Sequence, residues 1–357
     1  MNILIKSTYP QTDGWGRAAM AYMECFYKTS HNIKSTPIVL SRQVSSSLPS
    51  WIKNVEPGFK PDVYFQQCLP DYFEPFNGKN IGFAFTETRN LQYTGWVEKF
   101  NDMDEVWVAT QQEKTNLIKS GVNKKILVIP MPMELKVGNH IPYFKENIGD
   151  RYAFYFVGEY VERKNIEALI SAYWREFSRE EKVVLLIKTN YGGVETEQLS
   201  KIIQQNLDVM RSRMRLYGYA HHYPEILFIP EYLTDEEMRD LHATCDCFVN
   251  ASRGESTCRP LIDAALHNNT ILCTEGIGCL DNDLDIVPIK SYETPCSAFQ
   301  PPMRNIYTGW ETWMEVDQLD LQSKMRSAFK EQKKSDNKDK VTKYSYESVT
   351  RKIHNNL

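Results

Sequence analysis

The densest group of reactive side chains in this sequence lies in residues 253–264, which read Arg-Gly-Glu-Ser-Thr-Cys-Arg-Pro-Leu-Ile-Asp-Ala. Glu255 and Asp263 stand eight positions apart, separated by the small-residue turn Ser256-Thr257-Cys258 and by Arg259-Pro260. The apolar run Cys247-Phe248-Val249 before them reads as a buried strand, and the apolar stretch 261–266 as a helix. The first N–H groups of a helix lack internal partners and carry the positive end of its dipole, so that end favours anions. Carboxylates beside it accept hydrogen bonds from hydroxyls. A ligand carrying both phosphate and sugar hydroxyls, a nucleotide sugar, suits this combination.

A second group, Arg163-Lys164, follows the run Phe156-Val157-Gly158. Cations at a helix start oppose the dipole, so a bound anion accounts for them better than a merely solvated helix end. Two weaker signals lie near the N-terminus. Gly14-Trp15-Gly16-Arg17 reads as a loop whose backbone can approach phosphates, with Trp15 or Arg17 near a second substrate, although it is not a full G-x-G-x-x-G. Thr86-Glu87-Thr88 closes another apolar run; Glu87 is read either as an acceptor-binding group or base, or as an ordinary loop carboxylate.

The elements that must hold these residues alternate strand and helix. Expected strands fall at 1–6, 36–40, 62–66, 80–85, 105–109 and 125–130, then at 152–158, 182–189, 226–229, 247–250 and 270–274. Expected helices include 18–27, 94–100, 111–120 with Gly121 as C-cap, 165–177, 195–213, 235–243 and 313–329. Residues 131–150 read as the linker, 292–310 as irregular, 330–340 as a solvated connection and 344–357 as a last amphipathic helix. The expected fold class is α/β, with two Rossmann-like domains facing across a cleft: 1–148 on the acceptor side and 149–342 on the donor side. Ligands of such sheets bind beyond the carboxyl ends of the strands.

Composition narrows the class. At 357 residues, 42% hydrophobic and 25% charged, the chain is expected to be a soluble two-domain protein. No apolar run approaches the ~20 residues of a membrane span. The eight cysteines lack zinc-site spacing and no leader is evident, so a reducing cytoplasm is expected. His221-His222 reads as a solvated loop pair. The formal net charge of -4 gives no support to nucleic-acid binding, and the run Arg211-Ser212-Arg213-Met214-Arg215 reads as a solvated helix end.

With these motifs in hand, the chain resembles the retaining GT-B glycosyltransferases of family 4, over most of its length and most strongly between 154 and 280. Their E-G-F-G-L-P-x-x-E segment corresponds to E-S-T-C-R-P-L-I-D here, with equal spacing and the same proline. The resemblance implies transfer of a sugar from a nucleotide-diphosphate donor to a hydroxyl acceptor, with retention and with neither cofactor nor metal. It assigns donor-sugar hydroxyls to Glu255, ribose to Asp263, the leaving diphosphate to Arg163 and Lys164, and phosphate contacts to the backbone of Thr257, Cys258 and Arg259, beside Ser256. It implies that Gly158, Gly14 and Gly16 border the donor, with Arg17 near the acceptor. The loop Pro230-Glu231-Tyr232 would pack on the nucleotide base, and the last helix, 343–357, would return to the first domain. Family members often carry Arg after the glycine at 158, where this chain has Glu159; Arg259 is expected to supply that missing cation. An epimerase or hydrolase on the same fold, a non-catalytic nucleotide- or glycan-binding module, and an enzyme acting on nucleic-acid bases are the rival readings.

Overall fold

The structure is a computed structural model that describes residues 1–41, 44–138, 142–280, 283–296 and 307–357. The first sheet contains β1 (Asn2–Ser7), β2 (Asn32–Pro37), β3 (Val63–Gln67), β4 (Lys79–Phe83), β5 (Glu105–Val108) and β6 (Lys125–Val128), with helices α1 (Gly14–Tyr27), α2 (Trp96–Asn101) and α3 (Gln111–Ser120). Helix α4 (Pro142–Ile148) leads to the second domain. There follow β7 (Tyr152–Glu159), α5 (Ile166–Glu176), β8 (Val183–Asn190), α6 (Thr196–Met214), β9 (Ile226–Ile229), α7 (Asp235–Thr244), β10 (Cys247–Asn250), α8 (Arg259–Leu266), β11 (Thr270–Thr274) and β12 (Val287–Ile289). A hairpin, β13 (Ser291–Pro295) and β14 (Thr312–Val316), precedes α9 (Gln318–Glu331) and α10 (Tyr346–His354).

Both large sheets are parallel. Their orders are β2-β1-β3-β4-β5-β6 and β12-β11-β10-β7-β8-β9. The second is the doubly wound nucleotide-binding order, with its reversal between β7 and β10; the first reverses between β1 and β3. Crevices open at the carboxyl ends of strands at such reversals. The expected α/β architecture of two Rossmann-like halves is present, and Arg163, Lys164 and Glu255 flank the second reversal.

Local chemistry explains most boundaries. Thr110 and Glu113 form a reciprocal capping box at the start of α3, and Gly121 ends that helix at φ 106°. Thr234 and Glu237 cap α7 in the same way. Trp107 stacks with Phe26 and Phe65 in the first core, while Trp174, Tyr173, Phe154 and Phe177 fill the second. One apolar cluster runs through both domains, joining Ile3 and Ile5 to Leu241, Leu261, Val349 and Ile353. The last helix lies on α1: Cys25 Sγ meets Tyr346 O at 3.7 Å, and Lys28 sits over the Tyr346 ring.

Several expectations are corrected by the structure. The second strand lies at Asn32–Pro37 rather than 36–40, because Ile33 and Ser35 turn inward in register with β1, whose pairing ends at Ser7; Val39 is exposed. Gly14, Gly16 and Arg17 are not in a loop but in the first turn of α1, since Asp13 accepts from Gly16 N and caps the helix there. Trp313 belongs to a strand, where Trp313, Met314 and Val316 are buried; Asp317 caps the helix that starts at Gln318. The expected linker, described apart from 139–141, contains α4 and buries Phe144 and Ile148. The 330–340 connection is exposed, as expected, apart from a half-buried Ser335 and the buried Asn337, which bonds to Asn268 and Asp285. The expected irregular stretch 292–310 includes most of β13; residues 297–306 lie outside the described residues.

Candidate active site

Two turns at the carboxyl edge of the second sheet form the site. After β7, residues Glu162–Lys164 make one tight turn, and Asn165 enters the left-handed region at φ 55° before α5 begins. After β10, the chain passes through Ser252, Arg253, Gly254 and Glu255 to α8. Arg253 N donates to Arg163 O at 2.8 Å, and the Arg253 guanidinium donates to Glu162 O at 2.6 Å. Glu315 of β14 accepts from Arg253 Nε at 2.6 Å and from Asn165 Nδ2 at 2.8 Å, tying both turns to the hairpin. Gly278 N holds Glu255 O at 2.8 Å. Glu315, Arg253 and Asn165 were not singled out by sequence reasoning; Arg253 adjoins the motif, but nothing local points to Glu315.

Within this frame Lys164 Nζ lies 2.5 Å from Glu255 Oε1, and Arg163 Nη1 lies 3.3 Å from Glu255 Oε2. Arg163 also donates to Gly254 O at 2.6 Å and pairs with Glu87 of the first domain at 2.9 Å. Burial by itself would raise the Glu255 carboxyl, but the Lys164 and Arg163 charges hold it below the ordinary range. Burial works against the Arg163 charge, and Glu87 and Glu255 more than offset it, raising its pKa. Two cations and two carboxylates therefore balance in a largely dry space. Such a group is costly to assemble and is a functional-site signature when it lies in a crevice.

The first domain reaches this cluster through the loop after β4. Glu113 accepts from Thr86 N at 2.8 Å and fixes the loop. Its burial raises the Glu113 pKa to about 7, against the hydrogen bonds it accepts. Glu87 accepts from Tyr307 Oη at 2.5 Å, and burial followed by Glu87 drives the Tyr307 pKa up. Tyr307 is another site residue without a sequence signal, since 220 positions separate it from its partner. Gly254 is sterically required: an added Cβ would fall 2.0 Å from Glu87 O. A small cavity at this junction is lined by Glu87, Arg89, Glu113, Arg253 and Glu255.

The remaining expected residues divide into two sets. Gly158, next to last in β7, lies beside Lys164, whose Cδ would stand 3.5 Å from an added Cβ. Ser256 and Cys258 are buried at the turn into α8, and the buried Thr257 hydroxyl has no partner among the described residues. Cys258 packs with Cys279, whose sulfur is 3.7 Å from that of Cys273. Asp263 sits one turn into α8; burial lifts its pKa to about 6, with Arg259 opposing. Farther out, Pro230 is buried and Tyr232 exposed in the loop after β9. Arg17, at the start of α1, faces Asp235 of α7 at 3.5 Å. Gly16 allows close packing there, since a Cβ would fall 2.0 Å from Gln11 O, whereas Gly14 is open.

Arg259, expected to supply the cation missing at position 159, lies against Asp263 of its own helix. Arg259 is the first residue of α8, and the i,i+4 spacing lays its guanidinium 3.7 Å from Asp263. Glu159 accepts from Gly192 N at 3.0 Å. Among the described residues, no group of three or more His, Cys, Asp or Glu could hold a metal ion, and no helix is long and apolar enough to cross a membrane.

No family profile matches the sequence, and no curated protein matches it either. Solved structures do match, over almost the full chain. Anabaena HepE in complex with UDP and glucose gives a TM-score of 0.66 at 10% identity, covering 100% of this chain and 99% of that one. Sucrose-phosphate synthase from Thermosynechococcus elongatus gives 0.69 at 11% identity, covering 99% and 98%. An E. coli trehalose-6-phosphate structure bound with UDP-2-fluoro glucose gives 0.61 at 10% identity, covering 100% and 98%. At these identities the likeness establishes the fold: this chain has the GT-B arrangement of two facing Rossmann-like domains.

Proposed function

We propose that this protein is a glycosyltransferase that moves a sugar from a nucleotide-diphosphate donor to a hydroxyl acceptor, with retention at the anomeric carbon. The observation that carries this reading is the Arg163–Lys164–Glu255 cluster, with two half-buried cations on a buried carboxylate, at the β7/β10 reversal beside the N-terminus of α8. The donors and sugars named for the similar structures, UDP with glucose and UDP-2-fluoro glucose, belong to the same chemical class.

In this reading Arg163 and Lys164 receive the diphosphate, Glu255 holds donor-sugar hydroxyls and Asp263 the ribose. The bond from the anomeric carbon to the phosphate oxygen breaks with its electron pair going to phosphate. The acceptor oxygen bonds the same face of that carbon, and its proton passes to the departing phosphate. Fixed cations stabilise the charge that develops there, so the proposal requires neither metal nor cofactor. Arg163 now joins Glu87 of one domain to Glu255 of the other. Donor entry therefore requires the domains to part and close again, a gating step common in such clefts.

The test is a thermal-shift series with UDP-, GDP- and ADP-sugars, paired with an assay for nucleotide release. A ligand that binds only the folded state raises apparent stability by mass action. The proposal expects a saturable shift with at least one donor class and slow donor cleavage. No shift and no release with any of them would overturn it. An NMR assignment of the product's anomeric configuration separates retention from inversion and transfer from epimerisation.

A further inference from the structure

Lys188 is a lysine set in an apolar sheet. Strand β8 reads Val-Val-Leu-Leu-Ile-Lys-Thr-Asn, and Lys188 is only 6% exposed. It stands in register between Val157 of β7 and Ile229 of β9. Side chains alternate along a strand, so Lys188 shares its face with Val184 and Leu186, which pack in the cluster containing Leu241 of α7 and Leu261 of α8. That is the face on which α8 and Asp263 lie.

An ammonium has three donors, and among the described residues Lys188 Nζ finds one hydrogen-bond acceptor, Thr189 O, at 3.3 Å. The carboxylate that acts on it, Glu231, forms no ion pair with it among the described residues and is exposed. Burial brings the lysine pKa down to about 8, the cost of holding a charge out of water. The fold does not require an amine here, since the neighbouring positions of β8 are filled by aliphatic side chains. A buried donor with spare valence at the edge of a crevice points to a ligand acceptor.

Strand order fixes what that acceptor is. Across the edge, β10 leads to Glu255 and α8, β7 to Arg163 and Lys164, β8 carries Lys188, and β9 leads to Pro230 and Tyr232. A nucleotide with its diphosphate at Arg163–Lys164 and its base against 230–232 crosses β8 at the base end. We infer that Lys188 reads the donor's nucleobase, donating to O4 of uracil or O6 of guanine, and so selects uracil or guanine over cytosine or adenine. This rests on the nucleotide-sugar reading given above. Uracil and guanine present an acceptor oxygen where cytosine and adenine present an amino donor. Donor facing donor leaves both unpaired, and such mismatches discriminate strongly.

The test measures dissociation constants of UDP, GDP, ADP and CDP by calorimetry on the full chain. The wild-type protein is expected to bind UDP or GDP at least tenfold more tightly than the matching amino base, UDP against CDP or GDP against ADP. Lys188→Met is expected to weaken the keto nucleotide by roughly tenfold while changing the amino nucleotide less than threefold. The comparison of UDP with CDP on the wild type needs no variant to fold. Equal affinity for keto and amino bases, or an equal loss for all four nucleotides in Lys188→Met, would overturn the role of Lys188 and leave the glycosyltransferase reading standing. Binding of none of the four by the wild type would overturn both.

Discussion

The two sheets present their carboxyl edges to one cleft, yet the edges differ in chemistry. The second-domain edge carries Arg163, Lys164, Arg253 and Glu255, whose charges are matched within the protein. Apart from Glu87, which pairs with Arg163, the first-domain edge carries buried neutral groups: Ser7 at the end of β1, Thr8 after it, Gln67 at the end of β3, and Thr86 after β4. There the Thr8 and Thr86 hydroxyls and both ends of the Gln67 amide have no hydrogen-bond partner among the described residues. Lys6, on the same strand, is turned away to Tyr72 O and Glu74. Leaving a buried charge unpaired is costly, so these four groups are matched with protein partners, and Lys188 is the exception on that sheet. Neutral groups cost less when unmet, so the other edge can leave donors and acceptors for a ligand. Anion on one side and hydroxyls on the other is the division that transfer to an alcohol requires.

The contrast is most sharply tested by removing charge from the second edge. Lys164→Met is expected to slow donor cleavage by about 10²-fold or more, as loss of a transition-state donor does elsewhere. Unchanged turnover would mean that the cluster is only structural. Gly254→Ala attacks the contact between the edges, since its Cβ would meet Glu87 O at 2.0 Å. It is expected to cost about 1–3 kcal/mol in denaturant unfolding and to raise the KM for donor through a cleft that no longer closes.

A third test uses pH. The Asp263 pKa is raised from 3.8 to about 6, so its stabilising contribution is present in acid and is lost as pH climbs through that window. Glu255, held below its ordinary 4.5, contributes above that value and loses its contribution as pH falls. Asp263→Asn should therefore gain about 2 kcal/mol relative to wild type between pH 4 and 6.5, read from urea midpoints. A parallel pH profile in the two proteins would refute the burial argument. The smallest effect is expected on the neutral edge. Gln67→Met replaces an unsatisfied buried amide with an apolar chain and should raise stability by about 1 kcal/mol; a clear loss would show that the amide is paired after all.

Much of the scaffold was legible because its signals are local. Helix α3 lies where its capping box and Gly121 put it, and the strands of the second domain fall on the apolar runs. Signals failed where two local rules competed. At the second strand an apolar run lay just past Pro37, and pairing with β1 decided the register instead. At 312–317 an alternating strand adjoined a helix, and only the Asp317 cap separated them.

The sequence alone determined two α/β halves and the residue types at the second reversal: Arg163 and Lys164 in one turn, Glu255 and Asp263 around another. Periodicity, caps and spacing are properties of neighbouring residues, so they survive in one dimension. Tertiary structure decided how those charges are balanced. It brought Glu87 to Arg163, Tyr307 to Glu87 and Glu315 to Arg253, and it turned Arg259 toward Asp263. It also placed Lys188 between the phosphate turn and the base loop. Ion pairs and hydrogen bonds act through space, across partners 62 to 220 positions apart, and no local pattern encodes which distant carboxylate such a group will meet.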